Sequence, residues 1–160
     1  EKAAAGMALI NAENRAQAAV VLGADTIVVK GQRIFGKPQN EREYTEMLKH
    51  LSASWHQVLT AVSLLRFKPT AEPSQAGVEH FSTLSNTKVQ FKRLSQNEVK
   101  SYWHTGEPRG KAGGYAIQGV GALLVTSLNG SYTGVVGLPL HETGLLLSAA
   151  GIATALDSAY

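Results

Sequence analysis

Asp25 is one of two aspartates in this sequence and lies between the apolar runs Val20-Val21-Leu22 and Ile27-Val28-Val29. A carboxylate there loses solvation and needs a cation, so it reads as a strand-end cap, a metal ligand or a general base. Lys37, in Phe35-Gly36-Lys37-Pro38, follows the next turn and is either a solvated loop lysine or a cation folded back toward Asp25. Farther along, Gly106-Glu107-Pro108-Arg109-Gly110-Lys111-Ala112-Gly113-Gly114 sets two basic residues among four glycines. Backbone N–H groups and charged tips can approach an anion closely in such a loop, and phosphate is the anion expected. It is not a Walker loop, because only three residues separate Gly106 from Gly110 and Ala112 stands where a magnesium-holding Ser or Thr would follow the lysine. Gln118, in Tyr115-Ala116-Ile117-Gln118-Gly119, offers a donor and an acceptor together, which suits a nucleobase edge or, alternatively, nearby backbone groups. No GxGxxG, GxSxG or HExxH pattern occurs, and the five histidines lack metal-ligand spacing, which leaves His56 as a core or strand-edge residue.

These side chains need elements to hold them. Glu1 to Val20 is alanine-rich and reads as a helix leading into a buried strand over Val20 to Val29. Lys30-Gly31-Gln32 then turns the chain back through Arg33-Ile34-Phe35. Asn40 and Glu43 form a capping pattern before Tyr44, Met47, Leu48 and Leu51, which predicts a helix from Glu41 to Leu51. Strands are expected over Gln57 to Leu65 and Val78 to Arg93, with an exposed loop from Lys68 to Gly77. Ser95 and Glu98 repeat the capping pattern before a helix from Gln96 to about His104. Tyr115 to Ile117, Ala122 to Leu128 and Tyr132 to Val136 are expected as strands, with Asn129-Gly130 as a tight turn. Pro139 opens a last helix with Leu140, Leu145, Leu146, Leu147 and Ile152 on its apolar face and Gly151 near its end. Interleaved helices and strands predict an α/β fold, a mixed twisted sheet flanked by helices, in a single domain over residues 1–160.

Composition narrows the function. With 160 residues, 44% of them hydrophobic and 17% charged, the chain can bury a core and is not expected to be disordered. The absence of cysteine excludes disulfides, thiolate metal sites and cysteine nucleophiles. A net charge of +3, without a basic stripe interleaved with aromatics, fits an anionic small molecule and not a nucleic acid polymer. Glycines and Pro139 interrupt the uncharged stretch from Ala112 to Leu140, and Gly144 to Leu156 is shorter than the roughly 18 residues a span requires. No membrane partner is therefore expected, and with no secretory signal the expected location is cytoplasmic. The chain opens at Glu1 in what reads as uncapped helix interior, so an N-terminal segment is expected to be missing.

Taken in order, Gly23-Ala24-Asp25-Thr26-Ile27-Val28, Gly36-Lys37-Pro38, His56-Gln57-Val58, Gly106-Glu107-Pro108, Lys111-Ala112-Gly113-Gly114-Tyr115-Ala116-Ile117-Gln118-Gly119 and Val135-Val136-Gly137-Leu138-Pro139 resemble the Maf family. The resemblance covers nearly the whole chain. It implies a fold like that of the inosine triphosphate pyrophosphatases and nucleoside triphosphate pyrophosphatase activity, cleaving between the α and β phosphates. By the same likeness Asp25 is the proton acceptor that activates water, close to a divalent metal, Mg²⁺ or Mn²⁺. Lys2, Lys37 and Lys111 contact the triphosphate, while Thr26 and Gln118 resemble the branch acting on dTTP and UTP. A homodimer is also implied. Two further readings follow from the family: a nucleotide-sensing regulator of septum formation without significant turnover, and a 7-methyl-GTP pyrophosphatase. The latter branch typically differs after the aspartate and lacks the Lys-Ala-Gly to Ile-Gln-Gly segment. The sequence departs from the family in three places: the opening Ser-x-Ser-Pro-Arg-Arg motif is not present, Gly110 stands where many members carry Asp, and Ala53 replaces a common glycine.

Overall fold

The computed structural model describes residues 1–9, 20–68 and 77–157. Their elements are α1 (Lys2–Ala8), β1 (Val20–Lys30), β2 (Arg33–Phe35), α2 (Glu41–Leu51), β3 (Trp55–Lys68), β4 (Gly77–Phe91), α3 (Gln96–His104), two 3₁₀ turns (Ala112–Gly114 and Gly119–Leu124), β5 (Val125–Asn129), α4 (Tyr132–Val136) and α5 (Leu140–Ala149). The strands form one sheet in the order β2-β1-β3-β4-β5. β1 pairs antiparallel with β2 through Val28–Phe35, and β4 pairs antiparallel with β5 through Val89–Leu128, with an irregularity at Gln90/Phe91. This is the α/β arrangement the interleaved pattern predicts. Residues 10–19, 69–76 and 158–160 lie outside the description, and with them the remainder of the N-terminal helix expectation and most of the loop expected between Lys68 and Gly77.

The chain divides into two compact units, one of residues 1–25, 61–84 and 140–160, the other of 26–60 and 85–139. In the first, α1 buries Ala3 and Met7. Its backbone can approach β1 because Gly23 has no side chain: a Cβ there would sit 2.7 Å from the Ala3 amide nitrogen. Arg66 pairs with Glu79 at 3.8 Å and donates to the Ala150 carbonyl. In the second unit, Val28, Tyr44, Leu48, Leu51, Val89 and Phe91 are at the centre of the core. Tyr44 donates to the Val99 carbonyl at 3.0 Å and so ties α2 to α3. Both helices start where their caps predict. Asn40 accepts from the Glu43 amide at 2.9 Å, although Glu43 returns the bond to Gln39 N, one residue before the cap. Ser95 and Glu98 complete a reciprocal box.

Several expectations are corrected. β1 is not a buried strand: Val28 alone in it is fully buried, and Leu22 is 37% exposed. Tyr115 to Ile117 forms no strand, because Gly113 and Gly114 both turn at φ +70° and the Ala116 amide donates to the Tyr102 hydroxyl instead of a neighbouring strand. The strand after it starts at Val125, preceded by the 3₁₀ turn. Tyr132–Val136 is helical rather than a returning strand, since Ser131 Oγ accepts from the Gly134 amide and caps a helical turn. On α5 the buried residue is Thr143, whereas Leu140 and Leu145 are 59% and 60% exposed. No helix among the described residues is long and apolar enough to cross a membrane.

Candidate active site

The first unit holds Asp25. Residues alternate faces along a strand, so Asp25 projects opposite to Thr26 and Val28 and is not wedged among apolar side chains; its side chain is 66% exposed. The desolvation expected from its apolar flanks is thus relieved by the pleat. The cation it was expected to need is present: Lys2 Nζ forms an ion pair with Asp25 Oδ1 and also donates to the Ala24 carbonyl at 3.2 Å. Close seating of α1 on Gly23 carries Lys2 there. Both charges line a cavity of about 880 Å³, which Ser63 and His80, hydrogen-bonded at 2.7 Å, also border. That volume suits a small organic ligand.

The second unit holds the other expected contacts. Lys37 and Lys111 are exposed, and their loops are joined by a hydrogen bond from the Gly113 amide to the Gly36 carbonyl at 2.9 Å. A side chain at Gly113 would meet Val28 at 2.9 Å, and one at Gly114 would meet Tyr44 at 2.8 Å, so the glycine pair lets the Lys111 loop lie against the core. Arg109, the other basic residue of that loop, stacks over Trp103 at 5.4 Å.

Thr26 is partly buried and shares a 2.8 Å hydrogen bond with the Thr60 hydroxyl, which donates to the Gly134 carbonyl at 2.7 Å. A hydroxyl has one hydrogen. Since Thr60 gives its own to Gly134, Thr26 must be the donor to Thr60, and it faces any ligand as an acceptor only. Gln118 is exposed, caps the second 3₁₀ turn in extended conformation and makes no side-chain capping bond. Its amide is therefore not committed to the adjacent turn, the alternative that the sequence left open. His56 is a core residue, 2% exposed, hydrogen-bonded to Tyr115 at 2.8 Å and packed edge-on against Phe91.

The structure thus brings Lys2 to Asp25, and the Lys37 loop to the Lys111 loop. Sequence reasoning missed Thr60, which fixes the polarity of Thr26, and Glu107, whose carboxylate accepts from Tyr102 and from the Val120 and Gly121 amides. The available signal for Glu107 was its isolation as the single acidic residue between Val99 and His141. As to metal, no cluster of three or more His, Asp or Glu that could hold an ion occurs among the described residues. An exposed aspartate at a cavity fits an ion of the magnesium type that keeps its waters and is held mainly by substrate phosphates.

An α/β sheet carrying an exposed carboxylate–lysine pair in one unit, and glycine-lined lysine loops with an exposed glutamine amide in the other, has the equipment of an enzyme that handles a phosphorylated small molecule. The model of the family described as Maf-like protein matches residues 1–150, and the chain belongs to that family. A dTTP/UTP pyrophosphatase of Vibrio cholerae is 48% identical over 147 residues, covering 92% of this chain and 71% of that protein. Proteins of the same description from Pseudoalteromonas atlantica and Methylococcus capsulatus are 46% and 49% identical, covering 89% and 86% of this chain and 67% and 63% of theirs.

Proposed function

We propose that this protein hydrolyses dTTP and UTP to the nucleoside monophosphate and pyrophosphate. The observation that carries the reading is the exposed Asp25 carboxylate, paired with Lys2 at the wall of a cavity, in a chain so similar to several dTTP/UTP pyrophosphatases. Asp25 holds a water molecule and takes its proton as the water oxygen attacks the α-phosphorus; the bond from that phosphorus to the bridging oxygen breaks, and pyrophosphate leaves. Lys2, Lys37 and Lys111 bind phosphate oxygens and stabilise the charge that builds on them. Mg²⁺ or Mn²⁺, bound with the triphosphate and within reach of Asp25, would neutralise further phosphate charge. Thr26, limited to accepting, and Gln118, able to donate and accept, suit the base, because the uracil and thymine edge places an N–H between two carbonyls. Modified pyrimidine nucleotides with that edge intact are further candidate substrates, and the working form is a cytoplasmic homodimer.

Pyrophosphate release from a panel of dTTP, UTP, CTP, GTP and 7-methyl-GTP, with Mn²⁺ or Mg²⁺, tests this. Turnover confined mainly to dTTP and UTP is expected. Tight binding of dTTP without turnover would replace the enzyme by a nucleotide sensor, and preference for 7-methyl-GTP would move the protein to the other branch.

A further inference from the structure

Three donors converge on the carboxylate of Glu107. The Tyr102 hydroxyl and the Gly121 amide reach Oε1 at 2.6 and 2.8 Å, and the Val120 amide reaches Oε2 at 2.9 Å. Burial works against charge on this group, but these hydrogen bonds, with Lys111 nearby, hold its pKa below the usual carboxylate range. It is ionised at neutral pH, and bonds to an ionised acceptor are among the stronger ones. Tyr102 passes the connection on, accepting from the Ala116 amide at 3.0 Å. Gln118 is thereby bracketed: Ala116, two residues before it, is fixed to Tyr102, and Val120 and Gly121, two and three residues after it, are fixed to Glu107. The space is made by glycines, since a Cβ at Gly119 would strike Glu107 Oε2 and one at Gly121 would strike the Tyr102 hydroxyl.

We propose that Glu107, acting with Tyr102, is the positioning residue that sets the direction of the Gln118 amide and through it the choice of base. The inference rests on the reading that Gln118 contacts the base. Glu107 touches neither base nor phosphate in this role. A long side chain rooted in an exposed turn points reproducibly only if its backbone is fixed on both sides, and small misplacements of a recognition group weaken it steeply. In Glu107→Gln the remaining oxygen can keep the site that receives two donors, but the new amide nitrogen then faces the Val120 N–H, donor against donor. In Tyr102→Phe one of the three bonds to Glu107 is lost, together with the acceptor for Ala116.

The test is steady-state kinetics of the full-length protein, comparing kcat/KM for dTTP with that for GTP in Glu107→Gln, Tyr102→Phe, Gln118→Ala and the Glu107→Gln/Gln118→Ala double variant. Each single variant is expected to lower the dTTP-over-GTP ratio about tenfold, the scale of one lost well-aimed hydrogen bond, chiefly by raising KM for dTTP while kcat stays within about twofold. The double variant is expected to lose no more than Gln118→Ala alone, because both changes act through one amide. A merely structural Glu107 would lower activity on every nucleotide alike and leave the ratio unchanged, which overturns the proposal. Should Glu107→Gln fail to fold, Tyr102→Phe decides by the same ratio. A ratio lost in Gln118→Ala but retained in Glu107→Gln and Tyr102→Phe overturns the positioning role alone; a ratio unmoved by Gln118→Ala overturns the base-reading role and the positioning role together.

Discussion

Asp25 and Gln118 are both exposed polar side chains beside glycine-bearing backbone, yet they are held in different ways. Asp25 sits on a strand, its direction set by the pleat, and meets a lysine carried on a short helix. Gln118 sits between irregular turns, and its direction depends on side chains from elsewhere, Tyr102 on α3 and Glu107 in the loop after it. The water activation proposed for Asp25 tolerates the first arrangement, because Lys2 meets Oδ1 of an exposed carboxylate that has a second acceptor oxygen, Oδ2. The base discrimination proposed for Gln118 requires the second, since an amide offers its donor and acceptor in one useful orientation.

The largest effect should come from the strand-borne side. Asp25→Asn keeps the shape and removes the proposed base, and is expected to reduce dTTP turnover by ~100-fold or more; near-normal pyrophosphate release would assign the chemistry elsewhere. Next is the pH response of the second unit's core. Burial, with a smaller contribution from Lys30, pushes His56 down to about 4 from an ordinary 6.5. Between these values the unfolded chain binds a proton that the folded chain does not, so stability is full above pH 6.5 and falls as pH drops toward 4, by about 3 kcal/mol. Urea unfolding at pH 7.5 and 4.5 should show that loss, and His56→Gln should shrink it. Gly114→Ala should destabilise by about 2 kcal/mol, since a side chain there meets Tyr44 at 2.8 Å and adopts φ +70°; an unchanged thermal midpoint would mean that the Lys111 loop is not seated on the core. The smallest expected effect is favourable. Ala53 has φ +53° and is the non-glycine residue with positive φ among those described, so Ala53→Gly should stabilise by about 1 kcal/mol, read from the urea midpoint.

Local chemistry was legible in the sequence. Asn40 and Ser95 mark the starts of α2 and α3 because a cap bonds within its own turn, and Pro139 marks the start of α5 because its ring fixes φ near the helical value and it has no N–H to leave unpaired. What could not be read depends on distant partners. Tyr115-Ala116-Ile117 has the composition of a strand but gives its Ala116 amide to Tyr102, fourteen residues earlier. Tyr132 to Val136 likewise has β-branched composition, but the helical turn is decided by the Ser131 hydroxyl and by Thr87, which accepts from the Ser131 amide at 2.9 Å and donates to its carbonyl at 3.2 Å. The apolar flanks of Asp25 suggested a buried acid, yet flanking residues along a strand do not report which face the acid takes. Lys37, Lys111, Thr26 and Gln118 were nameable from motifs, but nothing in the motifs carried the hydrogen-bond direction that Thr60 imposes.

That direction has a consequence for ligands. A hydroxyl pair that terminates on a carbonyl conducts one way: Thr26 cannot rotate to offer its hydrogen outward without abandoning Thr60. If Thr26 contacts the base as proposed, the acceptor it offers is set during folding, ahead of any encounter, and needs no rearrangement on arrival.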